Sequence, residues 1–170
     1  MIEILVLRAV HVLGGIFWVG SAVFTTLFLV PALATAGPAA GQIMTAMRQR
    51  GLMTVLPLVA LLTMASGLRL MWIMSRGFSA AYFATPSGLT FAVAGGAAIV
   101  AFVIAMFVTR LAAIRMGELS GSMAAASPEQ RGGLMAELTA LRERNTVASS
   151  IVTALLILGA FGMAIARYLQ

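Results

Sequence analysis

Residues 9–47 read AVHVLGGIFWVGSAVFTTLFLVPALATAGPAAGQIMTAM and contain no Asp, Glu, Lys or Arg. A transmembrane helix needs about 20 predominantly apolar residues, so this stretch is longer than a single crossing. Pro31 and the pair Gly37 and Pro38 interrupt it, and residues of these types commonly mark helix boundaries. We therefore predict a first membrane-spanning helix over residues 4–34. A short connector follows, and Pro38 opens the next helical segment.

The same apolar character extends along the whole chain. Hydrophobic residues make up 61% and charged residues 9% of the 170 residues, whereas a soluble domain typically carries about 25% charged residues. Further apolar stretches predict spans over residues 51–74, 87–111 and 145–166. The sequence therefore predicts an all-α protein, with residues 1–170 forming one integral membrane domain. Its four transmembrane helices form a bundle whose partner is the lipid bilayer.

One polar segment, residues 115–144, separates the third predicted span from the fourth. Ser127 followed by Pro128 and Gln130 is typical of a helix start with a capping box. Three leucines then recur at helical spacing, at Leu134, Leu138 and Leu141. The segment therefore predicts an amphipathic connector helix at the membrane surface, continuous with the last span. The alternative is an ordinary solvated connector helix.

The basic residues predict the orientation in the membrane. The chain has a net charge of +6, and all its basic residues are Arg. Seven of them fall in the two connections on one side, at Arg48, Arg50, Arg110, Arg115, Arg131, Arg142 and Arg144. Four fall on the other side, at Arg8, Arg69, Arg76 and Arg167. Because basic residues favour the cytoplasmic side, we predict both termini on the non-cytoplasmic side.

Composition also bears on partners and source. Arg residues located between spans account for the positive charge, so we do not expect nucleic acid as a partner. The absence of Lys, together with many Ala and Gly residues, suggests a GC-rich bacterial genome. We therefore predict a multi-pass protein of the bacterial inner membrane.

The single histidine, His11, lies within the first predicted span, and ionisable residues inside a membrane are functional candidates. Arg8, His11, Gly15 and Trp18 share one helical face, and we predict these four as the cofactor-binding residues. Gly14 and Gly15 would let a planar ring lie against the helix while His11 supplies an axial nitrogen and Arg8 pairs with a carboxylate of the ring. The alternative is a neutral histidine bonded to a neighbouring helix, with the glycines serving close helix packing.

A second ligand would have to come from another residue type. Met71 and Met74 lie near the end of the second predicted span, at a depth similar to that of His11. A thioether and an imidazole suit haem iron or Cu(I). We therefore predict His11, Met71 and Met74 as candidate metal ligands. The alternative is a symmetric homodimer that shares one haem between two copies of His11.

Several short stretches resemble a family of bacterial membrane proteins. Residues 8–20, RAVHVLGGIFWVG, followed by LVPAL at residues 29–33, resemble the first helix of CopD-type copper-resistance proteins and of HemJ-type protoporphyrinogen oxidases. Further similar stretches are RQRGL at residues 48–52 with Pro57 and Gly67, RERNT at residues 142–146, and RYL at residues 167–169.

This resemblance implies a four-helix unit that binds b-type haem or copper at His11. HemJ-type proteins carry a Lys near the start of the third helix, whereas this chain has SGLT at residues 87–90 and no Lys. We therefore do not expect porphyrinogen oxidase activity. The alternative function is that of a structural or accessory subunit of a larger membrane complex, without chemistry of its own.

Overall fold

The computed structural model of the chain describes residues 1–37, 39–123 and 125–169. The described residues form helices and no strand, which confirms the all-α prediction. The helices are α1 (Ile2–Thr35), α2 (Ala39–Gln49), α3 (Leu52–Met74), α4 (Ala80–Phe83), α5 (Pro86–Ser122) and α6 (Pro128–Ala166). Within this part of the chain, α1, α3, α5 and α6 are the four helices long and apolar enough to cross a membrane. The protein is therefore a four-helix integral membrane bundle.

Helix α5 is longer than predicted, whereas α6 joins the predicted connector helix to the fourth span. Helix α5 continues to Ser122, and α6 is unbroken from Pro128, so most of the predicted polar connector extends these two helices. Leu119 and Leu138 are buried, and Arg115 Nε donates to Glu137 at 2.9 Å. These contacts hold the extensions together as an antiparallel hairpin.

The start of α6 follows the predicted capping pattern. The Ser127 hydroxyl accepts from the Gln130 backbone N–H, and the Gln130 side chain accepts from the Ser127 N–H. The predicted continuity of this connector helix with the fourth span is also confirmed. The predicted helical position of Pro38 lies outside the described residues.

Two helix pairs build the bundle. Helix α1 packs along α3, and α5 packs along α6. At the second interface the carbonyl oxygen of Ala94 lies 3.1 Å from the position that a Cβ on Gly159 would take. Because only glycine allows this approach, the backbones of α5 and α6 nearly touch.

The two pairs meet around a small core and a polar contact at Thr153, whose hydroxyl also donates to the Ala22 carbonyl oxygen at 3.4 Å. Trp18, Ala60, Ala101, Val152 and Leu156 form a buried cluster. Nearby, the hydroxyls of Thr26 and Thr153 are hydrogen-bonded at 2.8 Å and join α1 to α6. Large apolar side chains outside this core are mostly exposed, as expected for helices surrounded by lipid.

Candidate cofactor site around His11

His11 lies at the interface of α1 with α3. Its Nδ1 is 2.8 Å from the backbone carbonyl oxygen of Thr63. Because a carbonyl oxygen only accepts hydrogen bonds, Nδ1 must carry the proton and donate. In the neutral ring this leaves Nε2 with a free lone pair. The bond therefore fixes both the tautomer and the orientation of the imidazole.

A glycine on α3 makes room for this ring. The His11 Cε1 lies 2.6 Å, and Nδ1 2.9 Å, from the position that a Cβ on Gly67 would occupy. Any side chain at residue 67 would displace the imidazole. Thr63 and Gly67 are spaced by one helical turn, so one face of α3 both accepts the hydrogen bond and admits the ring.

Sequence reasoning did not assign this role to Thr63 or Gly67. A threonine and a glycine four residues apart are ordinary in a transmembrane helix, because small residues commonly line helix interfaces. The missing signal was the pairing register of α3 with α1. Only this register shows which turn of α3 faces the histidine.

The glycines beside His11 serve the helix interface in this structure. A Cβ on Gly14 would collide with the hydroxyl of Thr63, and the methyl of Thr63 lies 3.9 Å from the corresponding position at Gly15. Thr63 thus occupies the space where a planar ring was expected. A cofactor bound to His11 would have to approach from another side of the imidazole, and a cofactor contact at Gly15 stays a prediction.

The remaining residues of the predicted face lie apart from the imidazole. Arg8 is exposed one turn before His11. Trp18 is buried two turns beyond His11, where its ring packs edge-on against Phe102 with centroids 6.2 Å apart. Trp18 therefore contributes to the bundle core, whereas Arg8 remains accessible at the end of the bundle.

The two candidate methionines occupy different environments. The methyl carbon of Met71 lies 3.7 Å from the position of a Cβ on Gly95, so this side chain packs toward α5. Met74 is 52% exposed. Met71 follows Gly67 by four residues, which places it about 6 Å further along the axis of α3. The structure brings His11 together with Thr63 and Gly67, and ligation by Met71 or Met74 stays a prediction.

The same end of the bundle carries one ion pair. Arg69 Nη2 lies 2.7 Å from Glu3 Oε1, and both side chains are about half exposed. This contact and the His11–Thr63 hydrogen bond agree on one antiparallel register of α1 and α3. Because a solvent-exposed pair of this kind contributes roughly 0–1 kcal/mol, its main use here is as a marker of register.

The supply of metal donors around His11 is small. The chain has one histidine, no cysteine and no aspartate. Within the described residues, no three side chains of His, Cys, Asp or Glu group together as a metal site would require. A metal site at His11 made only of these four residue types is therefore absent from the described part of the chain.

Comparisons of the chain with models of protein families, with curated proteins and with solved structures found no match in any of the three.

Proposed function

We propose that this integral membrane protein binds a b-type haem through Nε2 of His11. The observation that supports the proposal is the hydrogen bond from Nδ1 to the Thr63 carbonyl. Histidines that ligate metals almost always donate their other N–H to a carboxylate, a carbonyl or water, which fixes the ring and raises its basicity. His11 has this arrangement and is only partly buried.

The donor count favours haem over a bare copper ion. A metal ion held by protein alone usually needs three or four ligands, and His11 is the only imidazole in the chain. The porphyrin would supply four nitrogens itself, so one ligand from the protein would be sufficient. Copper held by His11 with Met71 and Met74 is the less favoured form of the proposal, because Met71 packs toward α5.

Each residue of the site would have a distinct task. His11 would hold the group, the Thr63 carbonyl would orient the imidazole, and Gly67 would leave room for it. Arg8, accessible one turn away, would pair with a carboxylate at the edge of the group. Haem, when bound, supplies one-electron chemistry.

The test is the visible spectrum of the purified protein after expression with added haem. We expect a Soret band with one haem per chain that is lost in His11→Ala. Gly67→Ala should shift or weaken the band, because the new methyl group would occupy the space of the imidazole. Gly20→Ala is the matched control, since no atom lies within 4 Å of its added Cβ, and it should keep the wild-type spectrum.

Two results would count against the proposal. Protein that stays colourless and metal-free after supplementation with haem or copper would refute ligand binding. A full Soret band in His11→Ala would place the ligand elsewhere. One haem per two chains would instead favour a homodimer that shares the group between two copies of His11.

An accessory-subunit function is the second candidate. The hydrogen bond to Thr63 also satisfies a histidine that serves only helix packing. In that case crosslinking in native membranes should capture a stoichiometric partner protein, and the complex should contain no cofactor bound to this chain. A lone chain that carries haem would exclude this function.

The location completes the proposal. The chain would lie in the bacterial inner membrane with both termini on the non-cytoplasmic side, as the arginine distribution favours. Reporter proteins that work on one side only, fused after residue 170, test the orientation. Activity of a cytoplasmic reporter at this position would reverse it.

A further inference from the structure

Arg110 and Asn145 lie toward the end of the bundle opposite His11. Arg110 directly follows a π-helical segment of α5, Ala105–Thr109, and Asn145 lies on α6. Two contacts fix the antiparallel register of these helices, that of Ala94 with Gly159 and that of Arg115 with Glu137. They place Arg110 and Asn145 at the same level to within about one turn.

Each of these residues has a buried polar atom without a partner. Among the described residues, Arg110 Nε and Asn145 Oδ1 are the two buried side-chain nitrogen or oxygen atoms that lack a hydrogen bond. Such atoms are rare in native proteins and usually find water, an ion or a ligand. Arg110 Nε can only donate and Asn145 Oδ1 can only accept. A single group that satisfies both must therefore accept and donate at once.

The surrounding charges favour an anion. Arg142 and Arg144 lie within one turn of Asn145 and are exposed. Glu143 is the acidic residue between them. The acidic side chains on the neighbouring turns, Glu118 and Glu137, are already engaged with Arg115. The level of Arg110 and Asn145 therefore carries an excess of positive charge.

This level coincides with the edge of the apolar layer. Residues 77–109 before Arg110 contain no charged side chain, and neither do residues 145–166. Phospholipid phosphates lie at such an edge, where basic pockets between transmembrane helices bind lipid headgroups. A shallow groove of about 390 Å³ lies on α6 beside this level; it does not include Arg110 or Asn145 and is lined by Glu143, Arg144, Val147, Ala148 and Ile151. Its apolar part suits the first segment of an acyl chain.

We propose that Arg110 and Asn145 bind the headgroup of an anionic, hydroxyl-bearing phospholipid of the phosphatidylglycerol class. A phosphate oxygen accepts from Arg110 Nε, and a headgroup hydroxyl donates to Asn145 Oδ1. Both atoms are buried although their residues are partly exposed, so binding includes a turn of these side chains that opens the two atoms to the headgroup. The acyl chain follows the groove along α6. The site is remote from His11, and the proposal holds whether or not His11 binds haem.

The test uses native mass spectrometry of the full chain in a neutral detergent, with dioleoylphosphatidylglycerol as the probe. We expect phosphatidylglycerol to bind about tenfold more tightly than phosphatidylcholine, since hydrogen bonds to charged groups are the strong ones. Arg110→Gln should lose this preference. Arg142→Gln, which removes an exposed arginine at the same end, should keep it.

A second comparison of lipids tests the contact of the headgroup hydroxyl with Asn145. Phosphatidylmethanol carries the same phosphodiester charge without a headgroup hydroxyl, so the wild-type protein should prefer phosphatidylglycerol over it. Asn145→Leu should abolish this second preference and leave the preference over phosphatidylcholine. If Arg110→Gln does not fold, Arg110→Lys replaces it in the test, because lysine retains the charge but lacks Nε. The Arg110→Lys variant should then bind phosphatidylglycerol more weakly than the Arg142→Gln variant does.

Four outcomes would overturn the proposal. The first is equal binding of phosphatidylglycerol and phosphatidylcholine to the wild-type protein. The second is an equal loss of binding in Arg110→Gln and Arg142→Gln, which would indicate nonspecific charge attraction. The third is competition by millimolar inorganic phosphate, which would indicate a site for a free anion. The fourth is that Arg110→Gln and Asn145→Leu destabilise the protein without changing lipid binding, which would indicate direct pairing of the two side chains.

Discussion

The two helix pairs of this bundle use glycine in different ways. In the α1–α3 pair, Gly67 faces an imidazole and Gly14 faces a threonine hydroxyl, so glycine makes room for side chains of the opposite helix. In the α5–α6 pair, Gly159 faces the backbone carbonyl of Ala94. The first interface positions a polar side chain, whereas the second brings two backbones together.

This difference suggests that the two helix pairs have different roles in the protein. The α5–α6 pair also contains Val152 and Leu156 of the core and continues into the helical hairpin outside the apolar layer. It therefore forms the more extensive scaffold. The α1–α3 pair holds the one histidine of the chain at a fixed tautomer. If this comparison is correct, substitutions in the core of α6 should mainly change the free energy of unfolding, and substitutions of His11 itself should mainly change ligand binding at this residue.

The largest effect is expected at Leu156, which is 2% exposed in the core cluster. Leu156→Ala should lower the free energy of unfolding by about 2–5 kcal/mol, because it leaves a cavity between closely packed helices. Leu158→Ala, on the same helix but 65% exposed, should change the stability by less than about 0.5 kcal/mol. Reversible unfolding in mixed detergent micelles measures both values. Equal losses in the two variants would contradict the assignment of α6 as the scaffold.

The next effect is expected at Gly14. A methyl group there would collide with the Thr63 hydroxyl, and Thr63 is nearly buried, so the side chain has little room to turn. Gly14→Ala should cost about 1–3 kcal/mol through overpacking. The same unfolding measurement checks it.

A second substitution sharpens this prediction. Thr63→Ala removes the colliding hydroxyl but keeps the backbone carbonyl that binds His11, so the double variant should recover most of the lost stability. Gly20→Ala is the control, because its added Cβ meets no atom within 4 Å. If Thr63→Ala does not restore the stability lost in Gly14→Ala, a contact other than the Thr63 hydroxyl causes the loss.

The sequence predicted the fold better than the site. Runs of apolar residues have one stable arrangement in a bilayer, because backbone groups there must be satisfied within helices. The four spans and the start of α6 at Ser127 followed from this rule and from capping chemistry. The length of α5 was underestimated, since polar composition alone could not show that Leu119 would be buried where this helix extends beside α6.

The site depended on contacts between distant segments. His11 was identifiable as a lone intramembrane histidine, but its partner is a backbone carbonyl, which leaves no trace in residue type. Arg110 and Asn145 were similarly invisible as a pair, because their relation follows from the register of α5 with α6. Helix periodicity predicts which residues share a face, and it does not predict which face of a neighbour they meet.

The smallest predicted effect concerns the polar contact between the two pairs. Thr153 is 5% exposed, and its hydroxyl bonds the hydroxyl of Thr26 at 2.8 Å. Thr153→Val keeps the shape and removes this hydrogen bond together with the longer one to the Ala22 carbonyl oxygen. Interhelical hydrogen bonds of this kind contribute on average about 0.6 kcal/mol in membrane proteins, so the loss should be of this size.

A double-mutant cycle with Thr26→Val isolates this contact from effects on the single helices. The coupling between the two valine substitutions should be smaller than the loss in Thr153→Val alone, because the Thr153 hydroxyl also donates to the Ala22 carbonyl oxygen at 3.4 Å, and this second bond is lost whether or not Thr26 is present. Thr146→Val is the control, since the Thr146 hydroxyl bonds only the Arg142 carbonyl of its own helix, and it should show no coupling to Thr26→Val. A coupling near zero between Thr26 and Thr153 would mean that their hydroxyl–hydroxyl contact does not help to join the two pairs, which would leave the contact of Thr153 with the Ala22 carbonyl and the apolar packing around Trp18.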